Sequence, residues 1–227
     1  EIPTGVVFSE TDEQSEVRAT RCVFDRNRSY YNALYVHSAT FLADDCTFSN
    51  SFGNYGMIFF DSSTRFKNCL FESNATATYG GGALYLGGGV HDFANCRFEG
   101  NQTNGTGGAA TLGAVVRLAN CIFRGNSAAS GGALSVGFGA QVEISNATFV
   151  DNTAAFGASV SMGPSPVSPT TLSVRNSILW DAGNTVDNSA GATESIDHSD
   201  VRGGWFGSGN LNVDPQLQSD ARLSPDS

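Results

Sequence analysis

The chain is poor in basic side chains. Its 12 Lys plus Arg, among which Lys67 is the lone lysine, face 22 Asp plus Glu, for a formal charge of −10. Such a surface repels phosphate backbones and has no basic cluster to hold anionic lipid, so nucleic acid and membrane surfaces are not expected as partners. Long hydrophobic runs are missing as well. No stretch approaches the roughly 20 apolar residues of a spanning helix, and membrane insertion is not expected. Apolar residues never recur at helical spacing over ten positions, which removes helical bundles and helical repeats. Cys-x-x-Cys is absent, and the three histidines, His37, His91 and His198, fall at different phases of the chain. Redox and metal chemistry therefore have no foothold, no cofactor is expected, and the histidines read as solvated loop residues. His198, near Asp197 and Asp200, leaves a small hydrolytic or metal site open.

What is present is a period. Five cysteines, Cys22, Cys46, Cys69, Cys96 and Cys121, recur every 23 to 27 residues, each followed two residues later by Phe, and the block decays to Asn146-Ala147-Thr148-Phe149 and Asn176-Ser177-Ile178-Leu179. Seven copies in phase define a repeat protein. Gly-rich segments travel with them, as in Gly81-Gly82-Ala83-Leu84 and Gly131-Gly132-Ala133-Leu134. Asn stands three residues after the Phe at Asn27, Asn74, Asn101, Asn126 and Asn152, and Asn50 comes one place early. Between turn signals the apolar stretches are short and alternate, which is strand rather than helix. About 25 residues holding three short strands and three bends match one coil of a right-handed parallel β-helix, with neighbouring coils about 4.8 Å apart. The expected fold is an all-β solenoid of roughly seven to eight coils of about 25 residues in a single domain: a cap or linker over residues 1–16, regular coils over 17–180, and an irregular terminal coil and tail over 181–227.

The period places side chains. Apolar residues five and three positions before the Cys position point inward, as do the Cys position and the Phe. Asn68, Asn95, Asn120, Asn146 and Asn176, each just before the Cys position, suit a left-handed corner and an amide ladder from coil to coil. Arg21 and Asp45 occupy the same place in the first two copies. After the glycines, Leu34, Ile58, Leu84, Ala110 and Leu134 are expected inward. Ala33 and Tyr35, Met57 and Phe59, Ala83 and Tyr85, Ala109 and Thr111, and Ala133 and Ser135 are expected outward.

Repeated Gly-Gly-Ala-Leu segments alternating with Phe-x-x-Asn (Phe71 to Asn74, Phe98 to Asn101, Phe123 to Asn126, Phe149 to Asn152) resemble the repeats of polymorphic outer-membrane-protein passengers, and more broadly the pectin-lyase-like β-helix proteins. The resemblance covers roughly residues 20 to 160 and implies the architecture, not one activity, because that superfamily mixes adhesins, lyases, hydrolases and structural modules. It also implies that lyases hold Ca²⁺ with acidic residues near a basic group on one strand face, and that hydrolases cluster Asp. The Gly-Gly-Ala-Leu strand is the counterpart of that face, and its expected outward residues include no carboxylate or basic side chain. The C-terminal segments, such as Gly209-Asn210-Leu211-Asn212-Val213-Asp214-Pro215, are similar to terminal coils of secreted β-helix domains. In that likeness more chain follows Ser224-Pro225-Asp226-Ser227. A start at Glu1 without initiator Met or signal peptide fits a processed domain or a fragment of a longer polypeptide.

Several residues stand out as candidates. Tyr35, Phe59 and Tyr85 are expected to form an exposed aromatic strip suited to glycan or a protein partner, the alternative being plain strand-forming rings or rings covered by residues 1–16. The cysteines are expected to form a column of free, buried thiols, since stacked Cβ atoms about 4.8 Å apart exceed the roughly 3.5 to 4.5 Å of a disulfide. Asp25, Glu72 and Glu99, with Arg124 next in line, read as a surface charge ladder; a Ca²⁺ site at Glu72 and Glu99 is the alternative. Sequons occur at Asn27, Asn74, Asn101, Asn104 and Asn146, and in a eukaryotic source Asn74, Asn101 and Asn104 are the expected glycan carriers.

These features favour a non-catalytic, secreted or cell-surface structural or adhesion module. It would be a rigid solenoid presenting turn surfaces, with glycan, neighbouring protein or end-to-end self-association as partners. The alternative is a polysaccharide-binding or polysaccharide-degrading protein using the aromatic strip or the Pro-rich loop 164–169. Ice binding would need a flat Thr array that the expected outward surface lacks.

Overall fold

A computed structural model describes residues 6–9, 15–28, 34–78, 80–163, 165, 168–189 and 191–223. Every regular element among them is a β-strand, and every strand pairing in the coils is parallel. The strands stack into three long faces and one short parallel sheet of Phe52–Gly53, Ala75–Thr76 and Gln102–Thr103. The first holds Val6–Ser9, Leu34–His37, Met57–Phe60, the starts of Leu84–Ala94 and Ala110–Ala119, Leu134–Val136, Val160–Met162 and Val186–Asp187. The second holds Glu16–Thr20, Thr40–Asp44, Ser63–Lys67, the ends of the two long strands, Gln141–Ser145, Thr171–Arg175 and Thr193–Asp197. Because Leu84–Ala94 and Ala110–Ala119 run through the corner between these faces, both belong to one 14-stranded sheet. The third face is an 8-stranded sheet from Val23–Asp25 to Asp200–Val201. The stack is thus eight rungs high and continues beyond residue 180, since Val186–Asp187, Thr193–Asp197 and Asp200–Val201 add a full rung. At the other end Val6–Ser9, inside the span expected to be a cap, pairs with Leu34–His37 as a strand of the first face.

Left-handed residues make the corners. Between the second and third faces, Arg21, Asp45, Asn68, Asn95, Asn120, Asn146, Asn176 and His198 all have φ between 50 and 57°. Asn tolerates this region because its short amide bonds locally, and here the bonds run from rung to rung. Asn68 Nδ2 donates to Asp45 Oδ1 at 3.0 Å, Asn95 Nδ2 to Asn68 Oδ1 at 3.1 Å, and Asn120 Nδ2 to Asn95 Oδ1 at 3.3 Å. The second glycine of each Gly-Gly pair answers a different need: a Cβ on Gly82 would lie 2.2 Å from the Gly108 carbonyl oxygen, so only glycine lets the coils close up there.

The interior is filled by columns. Phe24, Phe48, Phe71, Phe98, Phe123 and Phe149 stack face to face with centroids 4.6 to 5.0 Å apart, the rung spacing itself. All five cysteines are free; Cys46, Cys69, Cys96 and Cys121 are buried and Cys22 is half-buried. Ala147, Ser177 and Ser199 complete that column, and the Ser177 and Ser199 hydroxyls accept the main-chain N–H of Ala147 and Ser177.

One coil departs from the expected register. Met57 pairs with Leu84, Ile58 with Tyr35 and Tyr85, and Phe59 with Val36 and Leu86. Met57 and Phe59 are therefore buried, not outward, and position 58, expected to align with Leu34 and Leu84, is instead in register with Tyr35 and Tyr85. The connection into this strand is shorter: four positions lead from Gly53 to Met57 where eight lead from Thr76 to Leu84, so Gly56 falls opposite Ala83 and not opposite a glycine, and a slip by one residue exchanges the two sides of a strand. Ala83, Ala109, Ala133 and Thr111 are buried as well. Ala33 lies outside the described residues.

Candidate functional site

On the first face, Tyr35 and Tyr85 are half-exposed and flank position 58, while Phe59 is wholly buried and leaves the proposed strip. The His37 ring lies parallel to Tyr35 with centroids 6.3 Å apart, and burial pushes the Tyr85 phenol above its ordinary pKa. Further along, loops close over the face. Thr111 donates to the Thr106 carbonyl at 2.7 Å and Ser130 to the Ser161 hydroxyl at 2.9 Å. Asp187, in the last coil, puts a carboxylate in this outward column, paired in register with Ser161. The drifted repeat hid it from the sequence. Part of the loop 164–169 falls outside the described residues, as do residues 224–227.

The acids expected as a ladder are neighbours on the third face. Glu72 and Glu99 pair in register, but Arg97 and Arg124 both grip Glu99, the latter at 3.0 Å. Two guanidinium groups on one carboxylate disfavour a Ca²⁺ ligand there. Among the described residues no group of three or more His, Cys, Asp or Glu is placed to hold a metal ion.

Two expectations need correction. His91 is not a solvated loop residue: it is wholly buried, its Nδ1 is 3.0 Å from Thr64 Oγ1, its Nε2 is 2.8 Å from the Gly88 carbonyl, and burial lowers its pKa. The signal was available, because position 91 is five before Cys96, an inward place. His37 is half-exposed and His198 is exposed at a corner. Asn74 and Asn101 are buried and cannot carry glycan in this fold; Asn104 and Asn146 are exposed and Asn27 is half-buried.

What Asn74 and Asn101 do instead is structural. In Asn74, Asn101 and Asn126 the main-chain N–H and Nδ2 both donate, at 2.9 to 3.1 Å, to Oδ1 of the next member, ending on Asn152. Each Nδ2 in this ladder also reaches a Phe carbonyl of the preceding coil at 2.9 Å. Asp181 terminates it. Its Oδ1 accepts the Asn152 main-chain N–H at 2.7 Å, and its Oδ2 accepts the Ser159 hydroxyl at 2.6 Å. Burial outweighs these bonds and raises the Asp181 carboxyl to about 6.

Three of the buried thiols are equally unsuited to reaction. Contact with the Cys121 thiol, together with burial, pushes Cys96 up to about 12; Cys69 is raised by its Cys96 neighbour, and Cys46 by burial. A thiol held protonated is a poor nucleophile.

The second face carries the densest outward charge. Its middle column reads Arg18, Leu42, Arg65, Asp92, Arg117, Glu143, Ser173 and Ser195 from rung to rung. Arg117 Nη1 is 3.4 Å from Asp92 and its Nε 3.6 Å from Glu143. Two shallow hollows mark the face, one of about 290 Å³ around Glu143, Ser173 and Ser195 and one of about 240 Å³ around Arg18, Leu42 and Arg65.

The family model described as the right-handed β-helix region matches residues 4–201. The chain belongs to the right-handed β-helix family. No curated protein and no solved structure matches it. The matched span of this β-helix ends with Val201, the last residue of the eight-stranded face, and beyond it one parallel bridge, Asp200 to Leu211, continues the stack.

Proposed function

We propose that this β-helix is a non-catalytic structural and adhesion module of a secreted or cell-surface protein, a rigid rod that presents its outer faces to partners. The observation that carries the reading is the continuity of the interior. The Phe stack, the Asn ladder and the column of thiols and small side chains run through successive coils without a gap for a reacting group. The strongest candidate acids already have structural duties: Glu99 is held by two arginines and Asp181 ends the amide ladder. The likeness to polymorphic outer-membrane-protein passengers supports the same reading. Apolar side chains at both ends favour neighbouring domains or copies there, with Val23 exposed on the first rung and Phe206, Leu211 and Val213 beyond the last.

A second reading, carbohydrate binding on the first face, rests on the half-exposed Tyr35 and Tyr85 with His37 beside them. The test is a panel of immobilised and soluble polysaccharides, followed for binding and for release of new reducing or unsaturated ends. Cleavage of any of them overturns the non-catalytic reading. Binding that falls in Tyr85→Ala without cleavage supports the second.

A further inference from the structure

We propose that the second face is a self-recognition surface, through which two copies pair side by side with their solenoid axes antiparallel. This pairing differs from the end-to-end association expected from the sequence, and it does not depend on what the first face binds.

The argument is the order of charges. From the third to the sixth rung the middle column reads Arg65, Asp92, Arg117, Glu143, which is plus, minus, plus, minus. An even alternating column turned end for end presents the opposite sign at every height. A two-fold axis lying along the strand direction, midway between the fourth and fifth rungs, keeps each column on its own counterpart and reverses the rungs. Arg65 then meets Glu143 of the second copy and Asp92 meets its Arg117, each contact occurring twice.

The flanking columns obey the same operation. On one side, Val90 of the fourth rung comes opposite Val115 of the fifth. On the other, Ala94 comes opposite Ala119, and Asp44 of the second rung opposite Arg175 of the seventh. Arg18 and Leu42 come opposite Ser195 and Ser173, so that the hollow of about 240 Å³ on one copy faces that of about 290 Å³ on the other. Parallel pairing sets Arg117 on Arg117, and a shift by one rung sets Arg65 on Arg117 or Asp92 on Glu143, so both are repelled.

Arg65 is the most telling residue, being exposed and ion-paired to none of the described residues. The footprint is five residues wide and eight rungs high, about 17 by 38 Å or roughly 600 Å² per copy. Twice that area is near the lower end for a specific contact, so the pair is expected to be weak and salt-sensitive.

Sedimentation velocity of the 227-residue chain, from micromolar to near-millimolar concentration, reads the association. The expected result is a dimer in about 50 mM salt that weakens at least tenfold at about 500 mM. Arg65→Glu alone and Glu143→Arg alone each set like charges in contact twice and are expected to be monomeric, with unchanged circular dichroism. Mixed together they restore every opposite pair, and a heterodimer is expected. A monomeric parent chain at all concentrations overturns the proposal. So does a dimer that survives either substitution, as end-to-end stacking would, or two monomeric variants that fail to associate on mixing.

Discussion

Replacing Asp181 by Asn removes a buried negative charge while keeping the shape that closes the amide ladder. The carboxyl is raised from 3.8 to about 6 by burial, a shift of about two units, and at about 1.4 kcal/mol per unit this amounts to about 3 kcal/mol. The folded state holds the proton more tightly than the unfolded chain, so between pH 3.8 and about 6 the folded state binds more protons. Stability from this group is therefore greatest below pH 3.8, falls as pH rises through that window, and is flat above it. In Asp181→Asn the amide oxygen still accepts from Asn152, and the new NH₂ donates to Ser159 once that hydroxyl turns to accept. Urea unfolding of both proteins from pH 4 to pH 8 checks this. The variant is expected to match the parent near pH 4 and to exceed it by about 3 kcal/mol at pH 7. Asp25 and Asp197, whose carboxyls are lowered by hydrogen bonds, act in the opposite sense but are common to both proteins and cancel in the difference. A difference that does not change with pH refutes the reasoning, as does a variant less stable than the parent at pH 7.

Asn126→Ala orphans the Asn101 N–H and the Phe98 carbonyl inside the coil, and is expected to lose about 3 kcal/mol or more in urea unfolding, against about 1 kcal/mol for the exposed corner change Asn120→Ala. Phe59→Ala is expected to lose about 3 to 5 kcal/mol by opening the core, and Tyr85→Ala about 1 kcal/mol; equal losses contradict the register of that coil. Thiol labelling of the native chain is expected to modify Cys22 quickly and the other four cysteines only at the rate of unfolding.

The coil and its period were legible because the Cys and Phe positions are inward on every rung, and inward columns are where a stack constrains residue type most tightly. The corners were legible for the same reason, since few residues other than Asn accept a left-handed φ. The internal ladder was harder to read. Asn74 and Asn101 look like turn residues, and they turn inward only because Ser73 and Gly100, which share no residue type, adopt positive φ just before them. The aromatic strip failed on a single residue, because after the shorter connection nothing local shows that Phe59 faces in. The charge lattice of the second face stayed hidden for another reason: its members, Arg65, Asp92, Arg117 and Glu143, are 25 to 27 positions apart and become a sequence of signs only once the rungs are stacked.

Coil length and coil register are independent here. The step from Ala147 to Ser177 is 30 residues and the next, to Ser199, is 22, yet the column they share is unbroken. The surplus of the longer coil sits between Val160–Met162 and Thr171–Arg175, at the bend between the first and second faces. Bends can thus lengthen, shorten or be exchanged while the spine keeps its pitch. The molecule works like a threaded rod whose attachments are changed one turn at a time.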